Sequence, residues 1–357
     1  MPSNITYQEE LKQGQTLKLR HLISILPKFC KEFFIGIEPT TSIMTRIVYA
    51  YDLNIFFTYL YKNHPYFMQK SFSDIVLHDL ELIDSTDIDA FMEYLSFYVK
   101  TDKDNPDYKL EFSNNNKGKA GKLACIRSIY SYFYKRKKIT VNPASFVDIP
   151  KIAEKPIIRL EVDEVARLLD SVESGENLTK TQLKYQKFTR ARDMAILSLF
   201  LGTGIRVSEL VGINILDIDF NINGFKITRK GGNQVVLYFS NEVMKALQNY
   251  LSERVHIIAI SGYEGALFLS LQRKRINVRS IQTLVKKYTE QVTTLKNISP
   301  HKLRSTYGTN LYRETGDIYL VADVLGHKDV NTTKKHYAAI DDDKRRMAAK
   351  VVKLRED

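Results

Sequence analysis

His301 and Arg304 stand at i and i+3 in the stretch SPHKLRSTYGTNLY, a spacing that on a helix places both on one face about a turn apart. Downstream, Leu325-Gly326-His327 reads as a helix stop, and Asn331-Thr332-Thr333 as an N-cap cluster opening a helix that carries Tyr337. Arginine, two imidazoles and a phenol within one short segment suit phosphoryl transfer to a tyrosine. A phosphodiester attacked by a phenol develops charge on its non-bridging oxygens, and the planar fork of arginine bonds two of them at once. A second arginine would improve that stabilisation, and Thr203-Gly204-Ile205-Arg206-Val207-Ser208-Glu209-Leu210 supplies one. Its glycine lets the chain turn sharply out of an apolar helix, so that Arg206 projects from the start of the next, with Glu209 one turn on as an intrahelical partner.

Several elements must hold these groups. Leu160 to Leu169 reads as a helix, and Thr189-Arg190-Ala191-Arg192-Asp193 opens another that is apolar from Met194 to Leu201 and supports Arg206. Short β-type runs follow at Asp217 to Phe220, Gly224 to Thr228 and Val235 to Phe239, and Gly231-Gly232 marks a hairpin turn between the last two. Lys230 sits at the edge of that turn, where a lysine can swing onto a phosphate; a desolvated site between arginines would lower its pKa enough to release a proton. Ser240 to Val255 is expected to be helical, Ala266 to Leu269 a short strand, and Ser280 to Val292 a helix. Ser299-Pro300 opens the His301 helix, on which Tyr307 and Tyr312 are read as core or supporting residues.

TGIRVSEL, the lysine of ITRKGG, HKLR, LGH and the tyrosine, in this order over residues 203 to 337, resemble the signature of the tyrosine recombinase (phage integrase) family, and the full-length layout is similar to its Xer-type members. Each string alone is weak; five in order are specific. The resemblance implies that Arg206 and Arg304 clamp a scissile DNA phosphate, that His301 assists proton movement and orientation, and that His327 bonds a phosphate oxygen. It further implies that Lys230 protonates the leaving 5′ oxygen and that Tyr337 is the nucleophile. Ser305 stands where many members carry a second histidine, and Tyr337 falls ten residues after His327, as in some phage and transposon integrases. The implied reaction is site-specific recombination, in chromosome-dimer resolution or mobile-element movement, through a 3′-phosphotyrosyl bond. It conserves bond energy and needs no nucleotide cofactor, and the cationic set makes a metal dispensable. A relaxing topoisomerase and a non-catalytic DNA-binding protein of the same fold are the alternatives.

The N-terminal half reads as helices without strands between them. Residues 1 to about 40 form one helix interrupted at Pro27. Thr41-Ser42 caps a second with Ile43, Ile47, Tyr51, Ile55 and Tyr59 as a core stripe, and Asp84-Ser85-Thr86-Asp87 caps a third. Lys100 to Gly121 is polar and turn-rich, hence an extended loop. It leads into a basic helix on which Tyr130 and Tyr134 are assigned to packing and Lys117, Lys119, Lys122 and Arg127 to DNA; Arg273, Lys274, Arg275 and Arg279 form a second basic cluster. Pro143, Pro150 and Pro156 mark an extended linker. By resemblance, residues 1–145 form a helical core-binding (SAM-like) domain, 146–157 the linker, and 158–357 a catalytic domain of helices with a small antiparallel β-sheet, a mainly α (α+β) chain. By the same resemblance the final amphipathic stretch, Asp341 to Glu356, would dock on a neighbouring protomer, giving a homo-oligomer, a tetramer on double-stranded DNA; packing on its own core is the alternative.

Composition agrees with that partner. Fifty-three Lys and Arg against 41 Asp and Glu give a net charge of +12 over 357 residues, and such an excess favours polyanions because neutralised phosphates release counterions. Two cysteines, Cys30 and Cys125, are too few for a disulfide framework or a zinc site and favour a reducing cytoplasm. Charged residues from Glu9 to Arg20 leave no room for an apolar leader core, and no eighteen-residue uncharged apolar run occurs.

Overall fold

The computed structural model describes residues 7–101, 109–153, 158–229, 232–327 and 330. The chain separates into two compact units, Met1–Glu154 and Lys155–Asp357. Lys230, Tyr337, the Asn331 cap cluster and the final amphipathic stretch lie outside the described residues.

In the first unit, α1 (Tyr7–Ser24) and α2 (Cys30–Gly36) flank Pro27, whose carbonyl accepts from Cys30 N at 2.9 Å. Ser42 caps α3 (Ile43–Asn63) through Thr45 N, and Asp84 caps α4 (Ser85–Tyr94) through Asp87 N. The buried side of α3 is Ile47, Ala50, Leu53, Phe56, Phe57 and Leu60, whereas Tyr51 is 43% exposed, so the four-residue stripe is corrected. Steps of four overshoot a helical turn by about 40° each, and a stripe so spaced winds off the face that a 3.6-residue period keeps inward.

The loop expected from Lys100 to Gly121 is likewise corrected. β1 (Tyr98–Thr101) pairs antiparallel with β2 (Lys109–Phe112). Tyr98 stacks on its cross-strand partner Phe112 at 5.4 Å, and Lys100 Nζ lies 5.3 Å from the Phe112 centroid. Such cross-strand aromatic pairs each stabilise a ladder by several tenths of a kilocalorie, up to about 1 kcal/mol. Asn115 then caps α5 (Asn116–Lys135), which buries Leu123, Ile126, Ile129, Tyr130 and Phe133. Tyr130 donates to Leu80 O at 2.9 Å, while Tyr134, assigned to packing, is 49% exposed. It lies one residue beyond the buried face.

The second unit begins with α6 (Val162–Ser174) and α7 (Lys180–Thr203). The latter starts ahead of the expected Thr189, because Thr179 and Gln182 form a capping box that the apolar count does not register. After α8 (Val207–Gly212) come β3 (Ile218–Asp219), β4 (Gly224–Thr228) and β5 (Gln234–Tyr238), one antiparallel sheet in that order with Gly224 opposite Tyr238 and Thr228 opposite Gln234. Ser240 caps α9 (Asn241–Arg254). Ala266 to Leu269 makes isolated bridges, Asn214 to Ala266 and Leu269 to Arg275, rather than a strand. Asn277 caps α10 (Val278–Val292), and α11 (Pro300–Thr315) and α12 (Ile318–Leu325) follow. The mainly helical chain with small antiparallel sheets is the α+β architecture expected. No helix among the described residues is long and apolar enough to cross a membrane.

Candidate active site

Two helices of the second unit end in left-handed glycines that face one another. α7 stops at Gly204, φ +62°, and α12 at Gly326, φ +60°. At Gly204 a Cβ would come within 2.5 Å of Tyr307 Cδ1 and 2.9 Å of Leu325 Cδ2, so both the sign of φ and the space require glycine. Burial raises the pKa of Tyr307, which is packed against this corner.

The last turn of a helix leaves its carbonyls without intrahelical partners. At α12 each finds one. His327 N donates to Ala322 O at 2.9 Å and Gly326 N to Asp323 O at 2.8 Å, the paired bonds of a Schellman cap. The next three carbonyls each accept from a different arginine. Arg229 Nη2 donates to Val324 O at 2.9 Å, Arg304 Nη2 to Leu325 O, and Arg206 Nη2 to Gly326 O at 2.9 Å. Arg304 Nη1 also donates to Gly204 O at the end of α7. Three cations thus converge on the negative end of one helix dipole.

Each arginine is fixed from its own side as well. Arg206 is the N-cap residue of α8; its Nη1 meets Glu209 Oε1 at 2.9 Å while its backbone N–H donates to Glu209 Oε2 at 2.9 Å. Glu209 is buried, which makes the pair more than a surface contact, and Arg206 keeps 36% of its side chain exposed. Arg304 is 5% exposed on α11. That helix is held by Leu160 N donating to Thr306 Oγ1 at 3.0 Å, and by Arg313 to Glu161 at 3.2 Å. His301, in the first turn of α11, is exposed, and its carbonyl accepts from Ser305 Oγ at 3.1 Å. The structure therefore brings Arg206, Arg304 and the His327 turn together and sets His301 on the helix that carries Arg304. Lys230 and Tyr337 follow in the chain directly after Arg229 and ten residues after His327 respectively.

Arg229 escaped the sequence reading. Its only signal was a second basic residue beside Lys230, and its partners lie 94 and 95 residues away. A Cβ on Gly326 would overlap its guanidinium.

The basic clusters expected on DNA divide. Lys117, Arg273, Lys274 and Arg279 are exposed. The others also bond within the protein. Arg127 donates to Ala144 O at 3.1 Å and to Val147 O; Lys122 reaches Asn114 Oδ1 at 3.1 Å and Asp52 at 3.6 Å; Lys119 donates to Ser96 Oγ at 2.6 Å. Arg275 fastens the exit of α8 through Val211 O and Ile213 O, each at 3.0 Å, and Asn214 Oδ1 at 2.6 Å.

Residues 159–344 match the phage integrase family. A tyrosine recombinase XerC of Caldanaerobacter subterraneus subsp. tengcongensis is 35% identical over 311 residues, 84% of this chain and 79% of that protein. Another, of Syntrophus aciditrophicus, is 30% identical over 319 residues, 88% of this chain and 93% of its own length. Among solved structures, that of the XerH site-specific recombinase bound to palindromic difH substrate superposes with a TM-score of 0.60 at 18% identity, covering 87% of this chain and 80% of that one; it speaks for the fold. The chain belongs to the phage integrase family and is a tyrosine-type site-specific DNA recombinase. The non-catalytic alternative is the weaker account of these matches.

Proposed function

We propose that Tyr337 attacks a phosphodiester of double-stranded DNA, forming a 3′-phosphotyrosyl bond and releasing a 5′ hydroxyl. Arg206 and Arg304 hold the non-bridging oxygens of that phosphate, His327 adds a hydrogen bond, and His301 assists orientation and proton movement. Lys230 gives its proton to the departing 5′ oxygen. A 5′ hydroxyl from the partner duplex then reverses the step on a new strand, so neither a nucleotide cofactor nor a metal enters the balance. The observation carrying this reading is the convergence of Arg206 and Arg304 on the carbonyls of Leu325 and Gly326, directly ahead of His327. Fixed donors cost no reorganisation when charge develops, which is where such sites gain most of their rate.

In this reading residues 1–145 form a core-binding domain, 146–157 a linker and 158–357 the catalytic domain, and both domains contact the same DNA. Lys117, Arg273, Lys274 and Arg279 face phosphates. A tetramer assembles on two recombination sites through the stretch from Asp341 to Glu356, as chromosome-dimer resolution or mobile-element integration and excision requires. The deciding experiment incubates wild type and Tyr337→Phe, in EDTA, with a nicked duplex carrying a site recovered by binding selection from random-sequence DNA. A slow-migrating protein–DNA species on a denaturing gel with wild type alone is the expected result. Binding by both proteins with trapping by neither would overturn it.

A further inference from the structure

The lysine hairpin is fastened at an unexpected place. Arg229 N donates to Asn233 O at 2.8 Å and Arg229 O accepts from Gly232 N at 3.0 Å, so Arg229 closes the turn between β4 and β5. At Gly232, φ +88°, a Cβ would meet nothing within 4 Å. Arg229 also sends its guanidinium to Val324 O at 2.9 Å, with Asp323 O at 3.5 Å, on the turn of α12 where Arg206 and Arg304 also bond. Arg229 is thus the residue that joins the hairpin tip to the phosphate-binding corner. Lys230 is its immediate neighbour, and consecutive Cα atoms are about 3.8 Å apart. A proton donor carried on a turn that drifts has a low effective concentration at its target; tethering the turn raises it without any new contact to substrate.

We infer that Arg229 is a positioning residue for proton delivery by Lys230, pinning the lysine hairpin to the end of α12 on which the two phosphate-binding arginines converge. The inference rests on Lys230 being the general acid. In that step the Tyr337 phenol passes its proton to His301 as its oxygen bonds phosphorus, the bond to the 5′ oxygen breaks with its electron pair going to that oxygen, and the Lys230 ammonium supplies the proton that the 5′ oxygen takes up. Gly326 is part of the device, because any side chain there would displace the Arg229 guanidinium.

The test compares cleavage of a nicked duplex whose scissile 5′-bridging atom is oxygen with one in which it is sulfur. A thiol titrates near about 8.5 and leaves as thiolate without needing a proton. Arg229→Ala should slow single-turnover cleavage of the oxygen substrate by about tenfold or more, within the range that general acid catalysis supplies, yet cut the sulfur substrate within about twofold of wild type. Arg229→Lys, which keeps one donor for Val324 O, should fall between. Normal cleavage of the sulfur substrate certifies that the tyrosine and arginines remain assembled in the variant. Lys230→Ala run beside it separates the two claims. Rescue by sulfur for Lys230→Ala but not for Arg229→Ala, or no oxygen defect in Arg229→Ala, overturns the positioning role and leaves the acid in place. Failure of sulfur to rescue Lys230→Ala overturns the general-acid assignment and this inference together.

Discussion

Arg304 is nearly fully buried, and its fork donates to helix-terminal carbonyls at Gly204 and Leu325. Truncating it removes the phosphate donor proposed above and takes this arginine away from two carbonyls. Arg304→Ala should therefore lose cleavage by about a thousandfold and also destabilise the fold by about 2–3 kcal/mol, measured by single-turnover trapping and by denaturant unfolding. Arg206 differs, because part of its side chain is open and Glu209 supplies its second anchor. Arg206→Ala should match the catalytic loss with a smaller change in stability. Gly326→Ala forces a Cβ into the Arg229 guanidinium at a positive φ. A cost of about 1–2 kcal/mol in unfolding free energy is expected from the backbone alone, together with slower cleavage of the oxygen-bridged substrate.

Helices α7, α10 and α11 hold the site from behind. Asp193 on α7 is 1% exposed and accepts from Arg192, Thr189, Lys287 and Tyr288, bringing α10 against α7. Burial and the neighbouring Asp193 carboxylate push the Tyr288 phenol far up, so it stays a proton donor throughout the working pH range. Asp193→Ala leaves Arg192 and Lys287 nearly buried without their counter-charge, and breaking such a pair costs about 3–5 kcal/mol. Thermal unfolding should show the drop while binding to DNA at low temperature persists. Thr306 and Arg313 act alike on α11, tying Leu160 and Glu161 to the helix that carries His301 and Arg304.

Each of the two units has its own close-packed apolar interior, the first built on Phe33, Phe56, Phe57, Phe91 and Phe133, the second including Leu197, Phe200, Leu247 and Leu303. The net charge of +12 makes binding to DNA salt-dependent. Lys117→Ala should reduce the slope of log affinity against log salt by about one phosphate contact. Arg127→Ala should leave that slope nearly unchanged and instead lower stability by about 1–3 kcal/mol, since it frees the carbonyls of Ala144 and Val147. The pair of variants separates a cation that faces DNA from one that braces the fold.

Local chemistry was legible in the sequence wherever the cause is local. Ser42 and Asp84 cap helices because a short polar side chain reaches its own backbone, and Gly204 and Gly326 end helices because left-handed φ strongly favours glycine. The order of Arg206, His301, Arg304 and His327 along the chain was enough to name the chemistry. Residues that bond across long intervals were not legible: a lysine or arginine reads the same whether it meets phosphate or a carbonyl. The loop carbonyls that Arg127 and Arg275 bond could not be read from their local sequence, nor could the position of Tyr134 one residue past the core edge. The hairpin of Tyr98 and Phe112 was too short to show alternation, and its ring stacking exists only once the strands meet. Tertiary structure alone decided that Val324, Leu325 and Gly326 would each receive a different arginine. Unsatisfied carbonyls at a helix end demand donors, but which of 53 basic side chains supplies them depends on how the helices pack.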